Sequence, residues 1–239
     1  MTKAVSFVFP PRAKSPLSVE GSESVFPVNR IYCVGRNYAE HAREMGDDPQ
    51  RDPPFFFCKD ASCVVEVPWN TLAALPYPSA TKRYEYEVEL VVALGKGGKD
   101  IALDQANEHI FGYAIGLDMT RRDLQSEAKQ KGRPWEVGKS FDGAAPMSPI
   151  IPIATTGLLA KGSIALKVDG EVKQISDLEQ LTWSVAEVIS RLSQLFELHP
   201  GDLIMTGTPE NVGPIDVGQT MEAHIESLGS IQIQVVAQA

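Results

Sequence analysis

The residues best placed to do chemistry are the carboxylates of Tyr84–Leu94, YEYEVELVVAL. Val88, Leu90, Val91, Val92 and Leu94 are apolar and Gly95 follows, the pattern of a β-strand with a stop. Side chains alternate across a strand, which puts Glu85, Glu87 and Glu89 on one side. Burying such groups is costly unless something compensates them, and a divalent cation does so well. Taken alone, an E-x-E pattern more often marks a solvated strand face. Asp118 ends a second apolar run, Ile110–Leu117 (IFGYAIGL), where it can present a carboxylate or start a helix. With Glu87 and Glu89 it completes three oxygen ligands, the chemistry of Mg²⁺ or Mn²⁺. Three carboxylates leave roughly three positions, enough for a bidentate substrate and one water.

His41 and Glu44 lie three apart in NYAEHAREM and share a helix face. A carboxylate at that spacing can orient an imidazole that acts as a general base towards water, although a solvated pair reads the same way. Lys139, in WEVGKSFD, follows a glycine in an apolar, aromatic setting, and a single lysine there says little by itself. Gly207-Thr208-Pro209, in MTGTPENVG, could offer a backbone N–H and a hydroxyl to an oxyanion, or be a plain tight turn.

The elements that must position these groups are mostly strands. Ile31–Val34 is a short apolar strand, and Asn37 is placed to cap a helix running to Met45, with Gly46 at its end. DDPQRDPP is a loop, and Phe55–Cys58 resumes as a buried strand. A helix is expected over Arg121–Lys131, entered through Thr120, and a hairpin turns at Asp169-Gly170 between Ile164–Val168 and Glu171–Ile175. Ser184–Phe196 has helical spacing, and Leu203–Thr206 and Ile231–Val236 are late strands. Residues 1–27 form a short extension, in which SFVF is a possible strand, and 28–239 a single domain. Strands outnumber helices and are not regularly separated by them, which favours a mixed, mostly β architecture over a doubly wound sheet.

Composition narrows the function classes. A net charge of −9 in 239 residues argues against nucleic acid or an anionic membrane as partner, and requires a local cation for any anionic substrate. Three cysteines without C-x-x-C spacing support neither a disulfide framework nor a zinc site. No stretch approaches a membrane span or a signal sequence, and no phosphate-cradling glycine loop is present, so a cytoplasmic protein is expected.

Taken together, GRNYAEHAREMG, YEVELVVALGK, GYAIGLDMTRRDLQ, GRPWEVGKSFD and GDLIMTGTPENVG resemble the fumarylacetoacetate hydrolase family, in the family's order and over nearly the whole chain. The resemblance implies an α+β, mostly β fold, a mixed β-roll of pseudo-sandwich character, usually a homodimer. It implies that Glu87, Glu89 and Asp118 hold Mg²⁺ (Mn²⁺ or Ca²⁺ in its place) and that His41 and Glu44 activate water. Lys139 faces the substrate, Gly207 and Thr208 meet its oxygens, and Arg122 and Gln125 lie nearby. Glu85 is not a ligand by this resemblance. The implied reaction is hydrolysis of the C–C bond of a 3-acylpyruvate, with fumarylpyruvate of the gentisate route the best match. Acylpyruvase, oxaloacetate decarboxylase and dienoate isomerase activities use nearly the same residues.

For a small anionic 2-oxo acid, three carboxylates and one dication leave about −1, so the ammonium of Lys139 is needed where negative charge develops. The distal carboxylate needs its own cation, for which Arg36, Arg51 and Lys59 are the candidates. The segment Asn37–Pro54 is expected to act as a lid.

Overall fold

A computed structural model describes residues 8–9, 16–44 and 52–238. Long apolar runs become central strands because both of their faces are covered. The main sheet runs, in spatial order, Phe55–Lys59, Ile31–Gly35, Leu203–Met205, Val88–Leu94, Ile110–Leu117, Ala145–Met147 and Val64–Glu66. Every residue of Val88–Leu94 is buried. A second sheet, ordered Glu171–Asp177, Ser163–Val168, Thr220–Ile225, Gly229–Val236 and Leu72–Pro76, alternates buried and half-exposed positions and packs one face inward. A small sheet joins Thr120–Arg121, Tyr84–Tyr86 and Gly213–Pro214. The architecture is the mixed, mostly β one read from the sequence. Among the described residues no helix is long and apolar enough to cross a membrane.

Several elements differ from expectation for identifiable reasons. Tyr84–Leu94 is two strands, Tyr84–Tyr86 and Val88–Leu94, broken at Glu87. There the Val88 N–H leaves the ladder and donates to Gln174 Oε1 at 3.1 Å. The hairpin of Ser163–Val168 with Glu171–Asp177 forms as expected. The Ser184 helix also forms, over Val185–Leu195, with a Ser184–Glu187 capping box. The helix expected over Arg121–Lys131 spans Arg122–Gln130, and Asp123 binds Thr81 Oγ1 and the Lys82 N–H instead of joining a capping box with Thr120. Ahead of the main sheet, Leu17 and Phe26, on paired strands Pro16–Ser18 and Val25–Pro27, lie in the common core. The first five residues of MTKAVSFVFP and its SFVF strand, apart from positions 8 and 9, fall outside the described residues.

Asn37 does not cap the helix that follows. That helix is Ala39–Glu44, and the Asn37 side chain turns inward. Its amide donates to the carbonyls of Trp183 and Thr206, each at 2.9 Å, and its Oδ1 accepts from the Trp183 N–H at 2.7 Å. A fully buried amide satisfied three ways is worth more here than at a cap. It fixes the base of the segment expected to be a lid, whose residues 45–51, Arg51 included, lie outside the described ones. Asn37→Ala is expected to cost about 3 kcal/mol in denaturant unfolding, because the three backbone groups lose their partner in a dry setting. A loss under about 0.5 kcal/mol would assign the anchoring to the backbone alone.

Candidate active site

Register brings the carboxylates together. Val88 pairs with Leu117 and Glu89 with Gly116, so Asp118 emerges beside Glu87, and the Asp118 N–H donates to the Glu87 carbonyl at 2.8 Å. Glu87, Glu89 and Asp118 are all buried, with one oxygen from each within 4.8 Å of the others. Glu85 stands apart, held by Arg122 Nε and Arg83 Nε, each at 2.5 Å. The strand break explains the separation, since alternation through Glu87 would have kept all three glutamates equivalent.

Each carboxylate of the triad has one oxygen committed to a protein cation or donor. Arg122 donates to Glu87 Oε1 at 2.5 Å, and the Gly207 N–H donates to Glu89 Oε2 at 2.7 Å. Gly207 can do so because it holds φ +101, and a Cβ there would sit 2.7 Å from Asn37 Cβ. Lys59 Nζ lies 2.7 Å from Asp118 Oδ1, an ionic contact whose angles are too poor for a hydrogen bond. Lys139 Nζ bridges the next two oxygens, Glu87 Oε2 at 2.8 Å and Asp118 Oδ2 at 2.9 Å. Gly138 makes this possible, since its α-carbon side packs on Gln125, where a Cβ would approach backbone within 2.8 Å.

Around this centre lie His41, Thr208, Gln125 and Arg36 with Phe55, Phe57 and Trp135, all lining one pocket. The His41 ring is buried and its Nδ1 pairs with Glu44 Oε2 at 3.1 Å, leaving Nε2 as the nitrogen available to the pocket. Glu44 also accepts the Asn211 N–H at 3.1 Å, tying the helix to the loop after Thr208. Thr208 Oγ1 accepts from Gln174 Nε2 at 3.0 Å, so its own proton is available to a ligand. Gln125 Oε1 accepts from Arg122, which leaves its amide N–H groups for the pocket.

Lys59 is a correction. One of three candidates for a distal carboxylate, it is instead the innermost residue of its strand, with its ammonium wholly buried against Asp118. The charge reckoning changes with it. Four buried carboxylates face three buried cations, Lys59, Arg122 and Lys139, where only Lys139 had been counted. Gln174, Phe57 and Trp135 were not singled out from sequence. The period of two in FFFCK was the usable signal, since it sets Phe55, Phe57 and Lys59 on one side.

Hard oxygen donors, converging and buried, with one oxygen from each of three carboxylates within 4.8 Å of the others, fit a divalent cation. The chain matches the family model for the fumarylacetoacetate (FAA) hydrolase C-terminal region over residues 30–236. This chain belongs to the fumarylacetoacetate hydrolase family. A solved fumarylpyruvate hydrolase from Pseudomonas aeruginosa, in complex with Mn²⁺ and pyruvate, is 55% identical with a TM-score of 0.96, covering 98% of this chain and all of that one. A fumarylpyruvate hydrolase of Ralstonia sp is 44% identical over 188 residues, 79% of this chain and 95% of that protein. The mitochondrial oxaloacetate tautomerase of Homo sapiens is 36% identical over 205 residues, 86% of this chain and 90% of that protein.

In this family member the two glutamates of the triad are pushed in opposite directions. Burial would raise Glu87, but Lys139 and Arg122 hold it well below the usual carboxylate range. Burial, then the neighbouring Asp118 and Glu87, push Glu89 well above that range, with only the Gly207 N–H and Lys139 opposing. Lys139 is itself raised, the carboxylates of Asp118 and Glu87 outweighing its burial.

A raised acid binds its proton more tightly folded than unfolded. Its stabilising contribution is therefore full below the ordinary carboxylate range and is lost as pH rises through the raised value. Glu87, being lowered, is ionised throughout and adds no slope. Chelator-treated protein should thus lose melting temperature as pH rises above the ordinary carboxylate range, and Mn²⁺ or Mg²⁺ should restore more at the upper end of the series. A metal-induced shift that does not change with pH would remove Glu89 from the proton-linked ligands.

Proposed function

We propose that the protein is a metal-dependent hydrolase of the C–C bond of 3-acylpyruvates, cleaving fumarylpyruvate to fumarate and pyruvate. The carrying observation is that one pocket joins the triad, the Lys139 ammonium and His41, which Glu44 holds from behind. The 55% identity to a fumarylpyruvate hydrolase found with Mn²⁺ and pyruvate supports the substrate. Glu87, Glu89 and Asp118 would hold the cation, Mg²⁺ by choice with Mn²⁺ or Ca²⁺ able to replace it. When bound it supplies an anchor for the 2-oxo acid end and positive charge for the departing electron pair.

The chain's own residues do the rest. His41 Nε2 takes a proton from a water that adds to the C4 carbonyl, while Glu44 holds Nδ1–H and stabilises the imidazolium. The C3–C4 bond breaks, its electron pair goes to C3 as the enolate of pyruvate, and the C4 side leaves as fumarate. Lys139, Gln125 and the Thr208 hydroxyl donate to the oxygens on which negative charge grows, and the Gly207 turn supports them. Arg122 keeps Glu87 ionised. Arg36, at φ +57 with its guanidinium 5.2 Å from the Phe55 ring centre, holds the distal carboxylate at the pocket mouth. The catalytic domain is residues 28–239 with a short extension before it, and the protein works as a cytoplasmic homodimer.

A second reading, oxaloacetate decarboxylation, is favoured by the oxaloacetate-converting relatives, such as the Dictyostelium discoideum decarboxylase, 39% identical over 199 residues. It needs the cation but no attacking water, so His41→Ala separates the two. Hydrolysis of fumarylpyruvate should fall by about 10²–10⁴-fold, the range for a lost general base, while any oxaloacetate decarboxylation falls far less. Equal losses would mean that His41 does not activate water.

Arg36→Met tests the distal end. Turnover of fumarylpyruvate should lose about 2–4 kcal/mol in kcat/KM, and acetylpyruvate, with a methyl group there, should be almost unaffected. If both substrates suffer alike, Arg36 does not read the second carboxylate.

A further inference from the structure

Lys59 is a buried charged group beside the triad to which the reaction assigns no task. It ends the strand Phe55–Lys59, which pairs with Ile31–Gly35 and sends Phe55, Phe57 and Lys59 towards the site. The two rings line the pocket, but the lysine lies behind Asp118 and lines none of it. Its ammonium donates to the Met119 carbonyl at 3.3 Å and to the Lys139 carbonyl, and completes its contacts on Asp118 Oδ1 at 2.7 Å. An ammonium sealed from water is expensive to keep, and this one cannot reach a substrate.

Its effect falls on how many oxygens the triad can offer. Arg122 occupies Glu87 Oε1, the Gly207 N–H occupies Glu89 Oε2, and Lys59 occupies Asp118 Oδ1. Lys139 sits on Glu87 Oε2 and Asp118 Oδ2, the oxygens a cation would have to share with it, so no carboxylate of the triad has two oxygens to give. Ca²⁺ takes six to eight oxygens and commonly draws both from a carboxylate, whereas Mg²⁺ demands six in a near-octahedral set and is content with single-oxygen donors. We propose that Lys59 is a positioning residue that holds Asp118 to single-oxygen donation, and so turns the triad away from Ca²⁺ and towards small six-coordinate dications. The proposal rests on the triad being the metal site of the reading above.

The test is calorimetric titration of the chelator-treated full-length protein with MgCl₂ and with CaCl₂, for wild type and Lys59→Met. Removing a positive charge strengthens binding of either dication by a similar factor, so the ratio of the two affinities isolates the freed oxygen. Lys59→Met is expected to shift that ratio towards Ca²⁺ by at least about tenfold, the scale on which partners of metal ligands act. A variant whose two affinities change in equal proportion overturns the proposal, because a merely structural lysine would do that. Should Lys59→Met not fold, Lys59→Gln, shorter and uncharged, carries the same comparison with the same expected direction. The wild type is decisive independently of any variant, since Ca²⁺ bound as tightly as Mg²⁺ also overturns the proposal. If the wild type binds neither ion stoichiometrically, the metal site and this inference fall together. If it binds both and only the ratio is wrong, the metal site stands and this inference alone falls.

Discussion

Four carboxylates buried close together, three of them lining one pocket, are the constraint around which this molecule is built. In water they would repel weakly. In a dry interior each needs a partner, and the partners come from different parts of the chain. Arg122 spans Glu85 and Glu87, Lys139 spans Glu87 and Asp118, and Lys59 backs Asp118. With Arg83 on Glu85, four cations meet the four carboxylates. A dication added to this balanced cluster leaves it positive by two, which suits an anionic 2-oxo acid in a protein of net charge −9.

The backbone serves this electrostatic arrangement directly. A continuous strand would have spaced Glu85, Glu87 and Glu89 evenly on one face. The interruption at Glu87 instead gives that residue to the cluster and leaves Glu85 to the arginines. Gln174 sustains the interruption from the second sheet, taking the Val88 N–H and donating to Thr208 and to the Pro209 carbonyl. One buried amide thus sets both the metal-binding edge and the turn that faces substrate. Asn37 does the same on the other side, joining the His41 helix to the strand end at Thr206.

Much of this was legible in the sequence because it depends on local pattern. Ile110–Leu117, the Asp169-Gly170 hairpin and the Ser184 helix follow from period and capping chemistry, and the triad follows from strand alternation together with the family motifs. What was not legible depends on distant partners. Asn37 has the residue type of a cap, and only the arrival of Trp183 and Thr206 turns it inward. Lys59 looks like a strand-end cation in water until Asp118 is seen beside it. The break at Glu87 is invisible in YEYEVEL, whose alternation runs straight through it, since its cause, Gln174, lies 86 residues away. Short strands such as Val64–Glu66 and Leu72–Pro76 are set by pairing, and their own sequences carry too little pattern.

The parallel pairing of Ile31–Gly35 with Leu203–Met205 has a consequence for how the molecule comes into being. Leu203 meets Ile31 across 172 residues, and closing such a loop costs about 4–5 kcal/mol of chain entropy before any contact repays it. The groups that neutralise the carboxylates are strung along the chain, and Gly207, the donor to Glu89, follows two residues after the strand that makes this closure. During synthesis the acidic strand therefore leaves the ribosome well before its final partner, and for that interval its glutamates are kept in water by their own charge. The carboxylates that later gather the cation thus act first as a guard, keeping a strongly apolar strand soluble until the far end of the chain is made.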